Sequence, residues 1–110
     1  MHIVFIIDVS GSIANGMFEK SKQGIAEAFG GVNNTLANRG TIILSIIHFN
    51  GWYSIELNSQ QVDTDSVEDS GDVWGTDHVV EFALGMVGAG GGTCIKSGLY
   101  AVSTLNNTNV

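Results

Sequence analysis

The feature that most constrains the fold is the run Thr41–Phe49, which is apolar almost without interruption. A half-buried strand alternates apolar and polar residues, whereas a run that is apolar at successive positions is typical of a strand covered on both faces. His2–Ile7 is a second run of this kind and is closed by Asp8. Two such runs predict a parallel pair of strands inside an α/β protein.

The segment between these strands has helical periodicity. Glycines at Gly24 and Gly30-Gly31 weaken this helix, by roughly 1 kcal/mol each relative to alanine, and favour an early end. Arg39-Gly40 supplies a stop signal. Apolar residues recur at spacings of 7, 4, 3 and 4 and so share one helical face, namely Phe18, Ile25, Phe29, Val32 and Leu36.

The second half of the chain predicts a hairpin and two further helices. Asn50-Gly51 is a strong turn dipeptide, so the residues after it are expected to form a third, antiparallel strand. In the first of the two helices the inward residues are expected to be Trp74, Val80, Ala83 or Leu84, and Val87. The expected segments are strand Trp52–Leu57, acidic surface loop Asn58–Asp72, helix Trp74–Val87, turn Gly88–Gly92, a helix marked by Ile95, Leu99 and Val102, and polar tail Asn106–Val110.

The resulting order is β-α-β-β-α-α, which indicates an α/β layered fold with a right-handed crossover between its parallel strands. Residues 1–110 are expected to form one domain. The last helix of such an order should lead into another strand, so the domain is expected to be cut off at its C-terminus.

Composition narrows the possible functions. With 44% hydrophobic and 14% charged residues, the chain is expected to be globular. Its formal net charge of −7 disfavours nucleic acid and acidic lipid as partners. No window approaches the length of apolar chain that spans a membrane. Cys94 is the single cysteine, so an internal disulfide is excluded.

A polar motif, Asp8-Val9-Ser10-Gly11-Ser12, follows the first predicted strand directly. Alternation places Asp8, Ser10 and Ser12 on a common side of an extended turn, and the glycine permits a tight backbone path. One carboxylate and two hydroxyls form an all-oxygen set, which suits a hard cation such as Mg²⁺ or Mn²⁺. The carboxyl end of a parallel strand is also where open α/β sheets place their binding sites.

This motif resembles the metal-ion-dependent adhesion site of von Willebrand factor type A (vWA) domains, called I domains in integrins. That family has a further threonine in a glycine-rich turn between its second and third helices, and Gly91-Gly92-Thr93 matches it in residue type, spacing and context. The resemblance covers essentially the whole chain, including the hairpin at Asn50-Gly51. Lys22-Gln23-Gly24 and Gly90–Thr93 are also similar to uncharacterised bacterial vWA-like proteins, which favours a bacterial source.

The resemblance implies a three-layer, Rossmann-like vWA fold and a protein-binding function in adhesion or assembly, not an enzyme. It implies that Ser10, Ser12 and Thr93 ligate Mg²⁺ or Mn²⁺, and that Asp8 acts mainly through water and by orienting hydroxyls. Neutral hydroxyls leave the cation under-neutralised, and the family fills its open position with a partner's Glu or Asp. Many vWA domains are exported or extracellular and others are cytosolic partners of ATPases, so the compartment stays open, with export slightly favoured.

One feature of the family lies outside this sequence. vWA domains have another metal-binding Asp after their next buried strand, well beyond Leu105, and the C-terminal strands of the family are absent from residues 1–110. The chain is therefore expected to be the N-terminal portion of a vWA domain, with its first strand left as an unprotected edge.

Simpler interpretations of the motif remain open. Asp8 and the serines are also residue types that cap a helix, and Thr93 could be the N-cap of the third helix. A metal-free structural α/β domain is one alternative, and a hydrolase with Asp8 or Ser10 as nucleophile is another. Against the hydrolase, Ser10 lacks the Gly-x-Ser-x-Gly elbow, and position 10 lacks the Asp of phosphoaspartate enzymes.

Three other possible ligand sites are weaker. Gly90–Ser97 departs from a phosphate loop, since Ile95 stands where glycine should precede Lys-Ser. His48, His78 and Cys94 have no close partners at zinc-ligand spacing. The acidic loop lacks the spacing and central glycine of an EF-hand, and its acids are expected to be solvated: Asp63, Asp65, Glu68, Asp69 and Asp72.

Overall fold

A computed structural model describes residues 1–11, 15–31, 35–36, 38–88 and 90–106. The predicted order β-α-β-β-α-α is confirmed over these residues. Ser12 and Val32, both named in the predictions above, lie outside them. The elements are β1 His2–Asp8, α1 Asn15–Gly30, β2 Thr41–Phe49, β3 Tyr53–Asp63, α2 Thr76–Leu84 and α3 Ile95–Val102.

The described strands form one mixed sheet in the order β1-β2-β3. β1 pairs in parallel with β2, from His2 opposite Ile43 to Asp8 opposite Phe49. β3 returns antiparallel beside β2. The parallel pair and the antiparallel hairpin are therefore as predicted, and the protein is a small α/β domain.

The central strand β2 is buried on both faces, as its apolar run predicts. From Ile42 to Phe49 every residue is buried. Ile42, Leu44 and Ile46 belong to the core that also contains residues of α1 and α2. The opposite face is covered by α3, where a Cβ on Gly98 would lie 3.0 Å from the Phe49 ring. The sheet thus has two helices on one face and one on the other.

Helix α1 buries the apolar face that its sequence predicts, and it ends before the predicted stop signal at Arg39-Gly40. Ile25 and Phe29 are 3% and 1% exposed, and Leu36 packs against the same core from beyond the helix. The helix ends at Gly30, the first of the two adjacent glycines. The cost of helical glycine explains this end.

Strand β3 is longer than predicted. The sequence indicated a strand ending at Leu57, whereas β3 continues to Asp63. The polar residues after Leu57 pair with the first half of β2, with a register irregularity near Ile46. Val62 is fully buried there, and Ser59 has a φ of 58° at the irregular position. A strand at the edge of a sheet, with one face in solvent, accepts polar residues. The polar residues after Leu57 therefore did not mark the end of β3, as the sequence had predicted.

Most of the residues predicted to face inward from α2 do so, since Ala83 belongs to the core and Trp74 and Val80 pack against it. α2 spans Thr76–Leu84, shorter than expected at each end. Val79 and Ala83 face the core, whereas Leu84 and Val87 are 48% and 78% exposed. The inward orientation predicted for Val87 is wrong because the chain has already left the helix at Gly85.

Helix α3 turns its small residues toward the sheet. Ser97, Gly98 and Ala101 are buried. The apolar residues that marked this helix in the sequence, Ile95, Leu99 and Val102, are 61%, 57% and 37% exposed. Among the described residues, no helix has the length and apolar character that crossing a membrane requires.

Candidate metal centre

The candidate centre begins where β1 ends. Asp8 is the last residue of the strand, and the next residue, Val9, still donates its backbone N–H to the Phe49 carbonyl at 2.9 Å. The backbone N–H of Ser10 then donates to Asp8 Oδ1 at 2.8 Å. This short turn fixes the Asp8 carboxylate beside Ser10, which is only 3% exposed.

Thr93 reaches the same place from the far end of the sequence. Its Oγ1 lies 2.8 Å from Ser10 Oγ, although 83 residues separate them in the chain. Cys94, not Thr93, occupies the N-cap position of α3. The interpretation of Thr93 as that cap is therefore wrong. Asp8, Ser10 and Thr93 come together at one end of the sheet, and Ser12 lies outside the described residues.

Glycines bring the two segments into contact. Gly90 and Gly91 have φ values of 74° and 96°, which side chains rarely adopt. Gly91 O accepts the backbone N–H of Gly11 at 2.7 Å, and Gly90 N–H donates to Val9 O at 3.0 Å. A Cβ on Gly11 would lie 3.3 Å from Gly91 O, so the close approach depends on glycine on both sides.

Asn50 connects the hairpin to this turn. Its Nδ2 donates to Gly90 O at 2.8 Å, and its Oδ1 accepts the Trp52 backbone N–H at 2.8 Å. Its carbonyl accepts the Cys94 backbone N–H at 2.7 Å. The Asn50-Gly51 dipeptide predicted only a turn. Its position directly after β2, beside the end of β1, was the available signal for a role at the site.

The two histidines considered as zinc ligands contact carboxylates of their own. His48 Nδ1 lies 3.5 Å from a Glu56 carboxylate oxygen, and His78 Nδ1 lies 2.8 Å from Asp69. Cys94 is the N-cap residue of α3 and follows Thr93 in the chain. Over the residues described, no group of three His, Cys, Asp or Glu side chains is placed to hold a metal ion. The candidate centre is not a group of this kind, because most of its oxygens belong to serine and threonine hydroxyls.

Two acids of the predicted loop accept hydrogen bonds from nearby backbone groups. Asp69 Oδ1 accepts the backbone N–H of Gly75, the residue before α2, at 2.9 Å. That bond, with a further one from His78, lowers the pKa of the Asp69 carboxyl. Asp63 likewise accepts the backbone N–H of Asp65 at 2.9 Å.

Cys94 borders the centre and is partly exposed. Its thiol pKa is lowered, chiefly by a hydrogen bond from the Ser97 side chain and then by the Ser97 backbone N–H, with Lys96 adding a smaller effect. Each of these favours the thiolate. The thiol of the residue after Thr93 thus has a pKa below its ordinary value.

The side-chain groups at this place are a carboxylate and hydroxyls, which are the oxygen ligands that a hard cation such as Mg²⁺ would take. Thr93 Oγ1 donates a hydrogen bond to Ser10 Oγ at 2.8 Å, the ordinary length between two hydroxyls. The Asp8 carboxylate beside them adds the negative charge that a divalent cation requires. Thr93 is exposed, so a cation on this pair has a side open to solvent.

Comparison of the sequence with known protein families and with curated proteins yields no match in either. The resemblance to vWA domains therefore depends on the motif residues themselves.

Proposed function

We propose that this chain is part of a vWA-like domain that binds a protein partner through a divalent cation. The contact between Ser10 Oγ and Thr93 Oγ1 carries the proposal, because it brings together the two motifs on which the resemblance to vWA domains depends. Asp8, Ser10, Ser12 and Thr93 would hold Mg²⁺ or Mn²⁺. The bound cation supplies a positive charge, which attracts a Glu or Asp side chain of the partner.

The residues around the pair support binding more than catalysis. A serine nucleophile needs a base within hydrogen-bond reach. The histidines of β2 and α2, which could act as such a base, each lie against a carboxylate of their own. A hydroxyl pair beside one carboxylate is instead a set of metal ligands. We therefore propose a binding module and not a hydrolase.

Thermal unfolding with Mg²⁺, with Mn²⁺ and with EDTA tests the metal site. A cation present at 100 times its dissociation constant stabilises the folded chain by about 2.7 kcal/mol. For so small a domain that raises Tm by on the order of 10 °C. Asp8→Ala and Thr93→Ala are expected to abolish the rise. Asp72→Ala removes an exposed carboxylate from the acidic loop and serves as the matched control, which should keep it.

The outcomes separate the proposal from its alternatives. A rise with Mg²⁺ that survives in Asp72→Ala and disappears in Asp8→Ala supports the site. An equal Tm in Mg²⁺ and EDTA, in a chain that unfolds cooperatively, favours the metal-free structural domain. Turnover of a generic ester or phosphate substrate that is lost in Asp8→Ala would favour the hydrolase.

A further inference from the structure

Asn50 contacts the glycine-rich turn on both sides of Thr93. Its side-chain Nδ2 donates to the Gly90 carbonyl, upstream of Thr93, at 2.8 Å. Its backbone carbonyl accepts the N–H of Cys94, the residue after Thr93, at 2.7 Å. These two bonds hold the two ends of the segment that carries the Thr93 hydroxyl. That hydroxyl in turn lies 2.8 Å from Ser10 Oγ.

The conformation of the hairpin turn does not explain why residue 50 is an asparagine. Asn-Gly is favoured in two-residue hairpin turns because both residues then adopt a positive φ. Neither Asn50 nor Gly51 is among the described residues with a positive φ. The asparagine is therefore explained by what its side chain binds.

The bond to Gly90 is the one that requires an amide. Asn50 Oδ1 also accepts the Trp52 backbone N–H at 2.8 Å, but aspartate or serine can close a turn of that kind as well. The Gly90 carbonyl accepts and the Trp52 N–H donates, so the two partners fix the orientation of the amide. Aspartate has no donor for Gly90, and serine has a single, shorter group in place of two.

The segment that Asn50 holds is poorly constrained by its own residues. Gly90 and Gly91 have φ values of 74° and 96°, and with Gly92 they form a run without side chains to pack. Glycine loses more conformational freedom on ordering than any other residue. Contacts from outside the run must therefore fix it, and Asn50 supplies them from the hairpin.

We infer that Asn50 is a positioning residue of the candidate metal centre: its side-chain amide holds the glycine-rich turn so that Thr93 lies beside Ser10, and it thereby sets the affinity for the cation. The link to affinity rests on the proposed function, because it requires a cation at these hydroxyls. The hold on the turn does not, and it can be measured without metal.

Titration of the full chain with Mg²⁺ tests the link to affinity. Asn50→Ser keeps an oxygen for the Trp52 N–H and loses the bond to Gly90. Outer groups that hold metal ligands in place typically contribute about 10–100-fold to metal affinity, so the Kd for Mg²⁺ should rise by about tenfold or more. Asn58→Ser is the matched control, because Asn58 Oδ1 also accepts a backbone N–H, that of Asn106 at 3.1 Å. Its Kd should equal that of the unchanged chain.

Amide hydrogen exchange in EDTA tests the hold on the turn. The Gly90 N–H donates to Val9 O, and the Gly11 N–H donates to Gly91 O. Both should exchange about fivefold faster in Asn50→Ser, as expected for the loss of one hydrogen bond. Asn50→Asp keeps the shape of the side chain and removes only the donor, so it should give the same result if Asn50→Ser folds poorly. The amide of the fully buried Leu44 reports on global unfolding and should change less.

The two measurements distinguish failure of this inference from failure of the proposed function. An unchanged Kd for Mg²⁺ in Asn50→Ser, or unchanged exchange at Gly11 and Gly90, would overturn the inference and leave the metal-dependent function standing. An equal acceleration at Leu44 would also overturn it, since Asn50 would then act on general stability. A chain that binds no Mg²⁺ before any substitution contradicts the proposed function, and with it the link between Asn50 and metal affinity.

Discussion

The two faces of the sheet are covered by different means. On the face of α1 and α2, large side chains of the helices interlock with those of the strands, and Phe29, Ile46 and Val79 are each 1% exposed or less. On the opposite face α3 contributes Ser97, Gly98 and Ala101, while Leu99 on its other side is 57% exposed. The first face is stabilised by burial of large apolar groups, and the second by close approach of a helix backbone.

Gly98 explains how α3 can lie so near the sheet. A Cβ at this position would be 2.9 Å from Ile6 Cγ2 and 3.0 Å from the Phe49 ring. The approach matters for the candidate centre because Thr93 and Cys94 lead directly into α3. Most of the apolar core therefore lies on one face, while the position of Thr93 depends on the closer helix packing of the other.

The largest expected effect comes from a large-to-small change on the first face. Phe29→Ala should lower the free energy of unfolding by about 3–5 kcal/mol, because it removes a fully buried ring and leaves a cavity. Leu99→Ala on the outer side of α3 is the paired change and should stay within about 0.5 kcal/mol. Urea unfolding of both variants measures the contrast. Similar losses in the two would show that α3 carries a larger share of the core than its exposure indicates.

A smaller effect is expected from overpacking the second face. Gly98→Val should destabilise the protein by about 1–3 kcal/mol, since the added side chain meets Ile6 and Phe49. It should also weaken the Mg²⁺-dependent rise in Tm, because α3 and Thr93 move away from Ser10. Gly24→Ala is the control: a Cβ there has open space, and alanine should stabilise α1 by up to about 1 kcal/mol. An unchanged response to Mg²⁺ in Gly98→Val would mean that the glycine-rich turn positions Thr93 without α3.

The sequence predicted the strands of the parallel pair well because their apolar runs are continuous. β2 has the predicted bounds, and β1 ends at Asp8 as expected. The sequence did not predict which residues of the last helix face the sheet. In α3 the periodic apolar residues are the exposed ones, since small residues on the other side permit the closer packing. Hydrophobic periodicity identifies a helix, but the depth of its packing depends on the size of the residues that face the sheet.

The sequence predicted only part of the candidate site. The resemblance implied that Ser10 and Thr93 belong to one site, and their hydroxyls are in contact, whereas their role as metal ligands stays a prediction. The contribution of Asn50 was missed. Asn50 acts through backbone groups of Gly90 and Cys94, which are brought near only by the fold.

The smallest of the expected effects concerns pH and tests how well the first face excludes water. His48 lies on that face, 3% exposed, with the Phe18 ring edge-on at 5.4 Å between centroids. Its Nε2 is buried and has no hydrogen-bond partner among the described residues. Burial lowers the pKa of His48 below its ordinary value of 6.5, and the nearby Glu56 carboxylate opposes that shift only in part.

A lowered histidine pKa has a definite consequence for stability. Below pH 6.5 the unfolded chain takes up a proton at this position before the folded chain does, so the free energy of unfolding falls as the pH decreases toward the lower, folded pKa. His48→Phe keeps an aromatic ring against Phe18 and removes this proton, so its stability should fall less between pH 7.5 and 5.5. Urea unfolding of both proteins at the two pH values gives the slopes. Equal slopes would mean that water reaches His48, and that the face of α1 and α2 is less closely packed at the end near the candidate centre than at Phe29.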